Sequence, residues 1–385
     1  MIDPETLLSS RAMQIDASGI RRAFQLGAKL DNPINLSIGQ PHFPVPDALK
    51  DAAIKAIRED ANGYTLTSGH PSLCDSLRDS IAKDLGWPRD DASIDVMVTS
   101  GTSGALILAA WVLLDPEDEL IIPDPNFVIY PALGPMTGAK VVSCNTYPDF
   151  CMTAERLEPL ITEKTKLVII NSPGNPTGVV LSDGQMRDVA ALCRDRGVML
   201  LSDEIYDLFT YSSMRDERGR SPSPGNHGRD MLIVRGFGKN YGCTGWRLGY
   251  AAGPSWLIHQ MSKFQQYSFV CAPSMAQHAV IAANGVDMSG IVAEYESKRN
   301  MVLDILSPLM HVAIPDGAFY AFPEVPGSLG MTGTQFTERL LEHNVIAIPG
   351  GVFSDRDTHF RISYATDDDR LETGLRAIAK AVQTH

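Results

Sequence analysis

A chain of 385 residues is too long for one small core and leads us to expect two domains. Its 44% hydrophobic and 21% charged content is ordinary for a globular protein and gives no ground for disorder or a fibrous repeat. The net charge of -13 argues against a nucleic-acid or anionic-membrane surface, because phosphate backbones demand basic patches.

The opening Met1-Ile2-Asp3-Pro4-Glu5 lacks the basic region and apolar core of a secretory signal, so the cytoplasm is the expected compartment. Leu73, Leu77, Ile81 and Leu85 recur every four residues and predict an amphipathic helix. Apolar runs then predict strands at 96–98, 120–122, 141–142, 167–170, 198–201, 231–234 and 248–251, with helical patterns between them. The longest apolar stretch, 105–114, is far too short to span a bilayer, so no membrane partner is expected. Ser182 and Gln185 form a capping-box signature ahead of a helix at 184–194. The Ser-, Pro- and Gly-rich segment 211–229 is predicted to be an exposed excursion.

Near Asp287 the pattern changes to a long helix, 291–306, and a mixed region with turns at Pro315-Asp316-Gly317 and Pro349-Gly350-Gly351. The fold class is therefore α/β: a large domain with a central, mostly parallel sheet flanked by helices, plus a smaller α+β domain. The predicted division is 1–45 joining the small domain, 46–287 as the large domain and 288–385 as the small one. Six scattered cysteines show neither a C-x-x-C pair nor zinc spacing, and the histidines form no ligand pattern, so no metal site is assigned.

Asn175, Asp203, Lys239 and Arg247 stand where predicted strands give way to loops, which is where open α/β sheets bind ligands. Singly, each has a bland reading as a turn residue, a cap or a solvated charge. Together they describe a pocket for pyridoxal phosphate. Lys239 is the candidate imine former, since a Lys amine condenses reversibly with an aldehyde. Asp203 is suited to hold the pyridine nitrogen protonated, and Asn175 and Tyr206 to donate to the phenolate oxygen. Phe127 can lie against the ring. Gly101, Thr102 and Ser103 open a helix predicted from Ala105 and offer an anion site, to which Arg247 adds a planar cation. Arg361, in Phe360-Arg361-Ile362-Ser363-Tyr364, is the candidate clamp for a substrate carboxylate.

In family order these motifs resemble a class I/II aminotransferase of the aspartate-aminotransferase-like, fold type I pyridoxal-phosphate superfamily. The resemblance runs from Leu36-Ser37-Ile38-Gly39-Gln40-Pro41 through Gly63-Tyr64-Thr65, Asn175-Pro176-Thr177-Gly178 and Asp203-Glu204-Ile205-Tyr206 to Arg361. It implies that Gly39 lines the substrate carboxylate site and that Tyr64 reaches the phosphate of a partner subunit in a homodimer. It also implies transfer of an amino group from an L-amino acid to a 2-oxo acid. The chain departs from the family at Gly236 and Gly238, where serines are usual, and at Phe127, where Tyr or Trp is frequent. No Arg lies between 248 and 298 and no Lys between 96 and 114, so aspartate specificity is not indicated unless Arg21 or Arg22 substitutes. Ile20 and Phe127 are expected to shape selectivity. The rival readings are a lyase or decarboxylase on the same scaffold, and a regulator, which the acidic charge opposes. Arg235-Gly236-Phe237-Gly238 has the wrong glycine spacing for a dinucleotide fingerprint.

Overall fold

The computed structural model describes residues 4–15, 19 and 30–383. Arg21, Arg22 and Ile20 lie outside the described residues. In chain order the strands are β1 (Ile34–Asn35), β2 (Ile94–Ser100), β3 (Glu119–Asp124), β4 (Lys140–Asn145), β5 (Thr165–Asn171) and β6 (Met199–Asp203). They continue with β7 (Met231–Gly236), β8 (Leu248–Pro254), β9 (Tyr320–Ala321), β10 (Val345–Ile346), β11 (Ile348–Pro349) and β12 (Phe360–Ser363).

Each apolar run predicted as a strand between 90 and 252 is one, and all of them join a single sheet in the order β2-β8-β7-β6-β5-β3-β4. The sheet is mixed: β8 is antiparallel to β2 and β7, and the other pairings are parallel. Both faces are covered, which is why the strands read as continuous apolar runs. Along β5, Val168 and Ile170 enter one buried cluster while Leu167 and Ile169 enter the other. The helix Gly101–Leu113 is apolar nearly all round and lies buried against the sheet. Burying a side chain such as its Leu106 or Leu108 contributes about 1.5–3 kcal/mol.

Two expectations need correcting. The helix predicted from Ala105 starts at Gly101, since Gly, Thr and Ser suit a first helical turn as well as a loop. The segment 211–229 is not simply exposed: Tyr211 is fully buried, Ser223, Pro224 and Gly225 are buried, and Trp87 Nε1 donates to Gly225 O at 2.7 Å. Composition averages over a segment and misses such single anchors.

The predicted capping box is present, with Ser182 Oγ accepting from Gln185 N and Gln185 Oε1 accepting from Ser182 N. Beyond the helix Ser289–Leu306, β11, β12 and β9 form a small antiparallel sheet, while β1 pairs with β10 in parallel. A separate core of Leu36, Phe319, Phe336, Phe360 and their neighbours underlies these strands. Among the described residues no helix is long and apolar enough to cross a membrane.

Candidate active site

Strand register gathers the polar residues. Asn171 at the end of β5 pairs with Asp203 at the end of β6, and Asp203 pairs with Val234 on β7. Ser100 at the end of β2 stands opposite Leu248, beside Arg247, and Gly236 stands opposite Gly249. One edge of the sheet therefore presents Asp203, the Lys239 turn, the Gly101 helix start and Arg247 together. The residues expected to hold the cofactor or clamp the substrate carboxylate, Tyr64 apart, all border one cavity of about 290 Å³ at this edge.

At the anion end, Gly101 has φ +69°, a left-handed conformation that only glycine adopts without strain. A Cβ there would also lie 2.8 Å from Arg247 Nη2. Thr102 and Ser103 follow on the first turn of that helix. Opposite them stands Gly236; a Cβ on it would meet Ile205 Cδ1 at 2.8 Å and Thr102 Cγ2 at 3.1 Å.

At the centre, Asp203 is 2% exposed. Its Oδ2 accepts from Tyr130 Oη at 2.9 Å and its Oδ1 from Ile205 N at 3.3 Å. Burial nevertheless pushes its carboxyl up to about 6, because no cation among the described residues is near enough to pair with it. Lys239 sits on the short helix Phe237–Asn240, and its Nζ donates to Gly39 O. Desolvation, then the Arg361 and Arg247 charges, push its amine down to about 8.

At the far end Arg361, 1% exposed, lies between the rings of Tyr320 and Phe353, 4.6 and 4.8 Å from their centroids. It donates to Asn175 Oδ1 at 3.0 Å and to Ser37 O at 2.8 Å, while its buried Nε has no partner among the described residues. Asn175 thereby spends its oxygen on Arg361 and keeps its amide hydrogens for another acceptor. Tyr206 is buried beside it, with its hydroxyl 3.1 Å from that of Tyr320.

Tyr64 is 86% exposed and does not reach the cavity within one chain. Sequence reasoning missed Tyr130, Tyr320 and the role of Asn171. Asn171 Nδ2 donates to Asp203 O at 2.9 Å and its Oδ1 accepts from Asn175 N at 2.8 Å, tying the two loops together. Tyr130 carried a usable signal, one helical turn after Phe127. Tyr320 carried none.

This donor set suits pyridoxal phosphate: an unpaired buried carboxylate for a ring cation, an amine of lowered basicity, and a cradle a Cβ would fill at Gly101. A profile of the family described as aminotransferase class I and II matches residues 31–378. The aspartate aminotransferase of Geobacillus stearothermophilus is 35% identical, covering 94% of both chains. The aromatic-amino-acid aminotransferase 2 of Thermococcus litoralis is 31% identical, covering 98% of both. The solved aspartate aminotransferase from Thermus thermophilus with maleate superposes with a TM-score of 0.89 at 30% identity, covering 97% of this chain and 99% of its own. Relatives named for transamination do not favour the lyase or decarboxylase reading. From these matches and the pocket's chemistry, the chain belongs to the class I and II aminotransferases of fold type I, enzymes that exchange amino groups between amino acids and 2-oxo acids with pyridoxal phosphate.

Proposed function

We propose that Lys239 carries the cofactor as a Schiff base and serves as the proton-transfer group of the reaction. When bound, pyridoxal phosphate supplies an aldehyde that captures amines and a cationic ring that accepts the electron pair released at the substrate Cα. Arg361 clamps the α-carboxylate in a charge-assisted pair, with Gly39 leaving room beside it. Lys239 would be the group that takes up and delivers the proton at the substrate Cα. An amine whose basicity is lowered to about 8 is neutral in part near neutral pH, which this role requires. Asp203 holds the proton on the ring nitrogen, and Tyr206 and Asn175 donate to the phenolate oxygen. Phe127 packs on the ring face. Gly101, Thr102, Ser103 and Arg247 hold the phosphate.

A ping-pong exchange follows, because one cavity with one carboxylate clamp serves donor and acceptor in turn. The aspartate and aromatic donors in the relatives' names share the α-amine and α-carboxylate that Lys239 and Arg361 address. We further propose a cytoplasmic homodimer in which Tyr64 of one protomer reaches its partner's phosphate site. The exposure of Tyr64, Leu66, Tyr267 and Phe269 supports that surface. Pairing of β1 with β10 supports the division into 1–45 with 288–385 against 46–287.

The observation that carries this reading is a carboxylate, Asp203, and an amine, Lys239, that border the same cavity and have no ion-pair partner among the described residues. The protein should turn yellow on adding pyridoxal phosphate, and borohydride should fix the cofactor on Lys239, located by peptide mapping. Labelling of another lysine would end the proposal. A panel of amino donors against 2-oxoglutarate and pyruvate then ranks substrates.

A further inference from the structure

Tyr320 stands in the wall of the cavity between two groups that the reaction uses at different moments. Its ring faces the Arg361 guanidinium at 4.6 Å, and its hydroxyl lies 3.1 Å from the Tyr206 hydroxyl. The residue is 1% exposed, its ring crosses that of Tyr206 at 89°, and Phe353 closes the far side of the guanidinium. A Cβ added to Gly39 would lie 3.1 Å from the Tyr320 hydroxyl, so the backbone above it leaves just enough room for that oxygen.

A tyrosine hydroxyl has one hydrogen. If Tyr206 gives its hydrogen to the cofactor's phenolate oxygen, as proposed above, then Tyr320 must be the donor in the pair. Hydrogen bonds in such a chain polarise one another, and Tyr206 becomes a stronger donor the more strongly Tyr320 donates to it. A guanidinium stacked on the Tyr320 ring draws electron density from it and strengthens that donor. A carboxylate bound to Arg361 offsets the guanidinium charge and relaxes the chain.

We infer that Tyr320 is a positioning residue that carries the charge state of the Arg361 clamp to the Tyr206 hydroxyl, so that arrival of a substrate carboxylate is felt at the cofactor's phenolate oxygen. The inference rests on the roles given above to Arg361 and Tyr206. The Arg361–Asn175 hydrogen bond of 3.0 Å is a parallel route, so the Tyr320 hydroxyl carries part of the coupling.

The test is a pH titration of the holoenzyme's visible absorption band, with and without saturating 3-phenylpropanoate, a carboxylate that lacks the reacting amine. A weakened donor leaves more charge on the phenolate, which then holds the neighbouring proton more tightly and raises the midpoint. In the wild type the ligand should raise the midpoint. In Tyr320→Phe, which keeps the ring over Arg361, the ligand-free midpoint should already be higher by about half a pH unit, and the ligand's further effect should fall by about half. The amino donor's KM should stay within about twofold while kcat drops several-fold, because the clamp survives and the relay does not. Gly39→Ala, which crowds the same hydroxyl, should move the midpoint in the same direction.

Equal midpoints and equal ligand responses in wild type and Tyr320→Phe overturn the inference and leave the proposed function standing. A wild-type protein that takes up no cofactor overturns both.

Discussion

Asp203 and Glu204 are adjacent buried carboxylates with opposite surroundings. Glu204, 1% exposed, accepts from Arg235 Nε at 2.9 Å and from the hydroxyls of Ser202 and Ser223 at 2.9 and 2.6 Å. Arg235 in turn reaches Asp84 at 3.0 Å and Asp207 at 3.5 Å. Asp203 has a tyrosine and a backbone amide but, among the described residues, no cation. The same contrast separates two lysines: Lys298 pairs with Asp368, with Glu294 at 3.1 Å and with Thr366 O at 2.8 Å, whereas Lys239 has a carbonyl oxygen and the Phe319 ring but no carboxylate among the described residues. Where the chain supplies the counter-charge, the ion serves the fold. Where it withholds one at a cavity, the ion is left for the chemistry we propose.

The largest contrast should come from the lysines. Lys239→Ala should cut steady-state turnover by about ten-thousand-fold while the protein still folds. Lys298→Ala should instead lower the melting temperature, since it removes a buried stem and its contacts to the part-exposed Asp368 and Glu294, worth about 1–2 kcal/mol, and leave kcat per folded molecule near wild type. Kinetics and thermal melts on both variants would separate the two kinds of lysine.

The carboxylates should split in sign. Asp203 has its acidity shifted from 3.8 up to about 6, so the cofactor-free protein bears the cost of ionising it fully above pH 6 and not at all below the unfolded value. Asp203→Asn should therefore stabilise the cofactor-free protein by up to about 3 kcal/mol at pH 8 and leave it unchanged near pH 3. It should also weaken cofactor binding, which in the wild type falls as the pH drops through about 6. Burial pushes the Glu204 carboxyl up as well, against the pull of Arg235, but Glu204→Gln strips the buried guanidinium of its nearest counter-charge and should on balance destabilise at pH 8 by about 1–3 kcal/mol. Denaturant melts of the cofactor-free forms at the two pH values test this, and equal signs would dissolve the comparison.

Arg361→Lys should raise the amino donor's KM by about tenfold to a hundredfold, because a point charge cannot reproduce a planar fork held between two rings. The smallest effect is reserved for Gly236→Ser, where the family's usual hydroxyl returns. Once Ile205 Cδ1 yields, one added hydrogen bond should tighten cofactor binding by about 1 kcal/mol, measured by equilibrium titration. No change there would mean that a hydroxyl at this position adds nothing to the phosphate anchoring proposed for Arg247, Thr102 and Ser103.

The large sheet was legible because strands buried on both faces are written as unbroken apolar runs, and 167–170 or 231–234 can hardly be read otherwise. Asp203, Lys239 and Arg361 could be nominated because the chemistry we propose for them follows from residue type and order. The strands β9 to β12, two to four residues each, leave no periodic trace. Tyr320 was invisible as a site residue, and Tyr130 was marked only by its place one turn after Phe127, because an aromatic in an apolar run reads as core until its hydroxyl partner is known.

The order of residues along the chain thus determined the fold class and the cofactor chemistry and nominated the anchoring groups, since side-chain type and short-range pattern suffice for that. Only the folded chain decided which buried charges are paired. Counter-ions come from distant segments, as Asp84 comes to Arg235 and Asp368 to Lys298, and no local pattern records how far a loop carries them. For the same reason only packing could set a ring from β9 against an arginine on β12 and its hydroxyl against a tyrosine that follows β6.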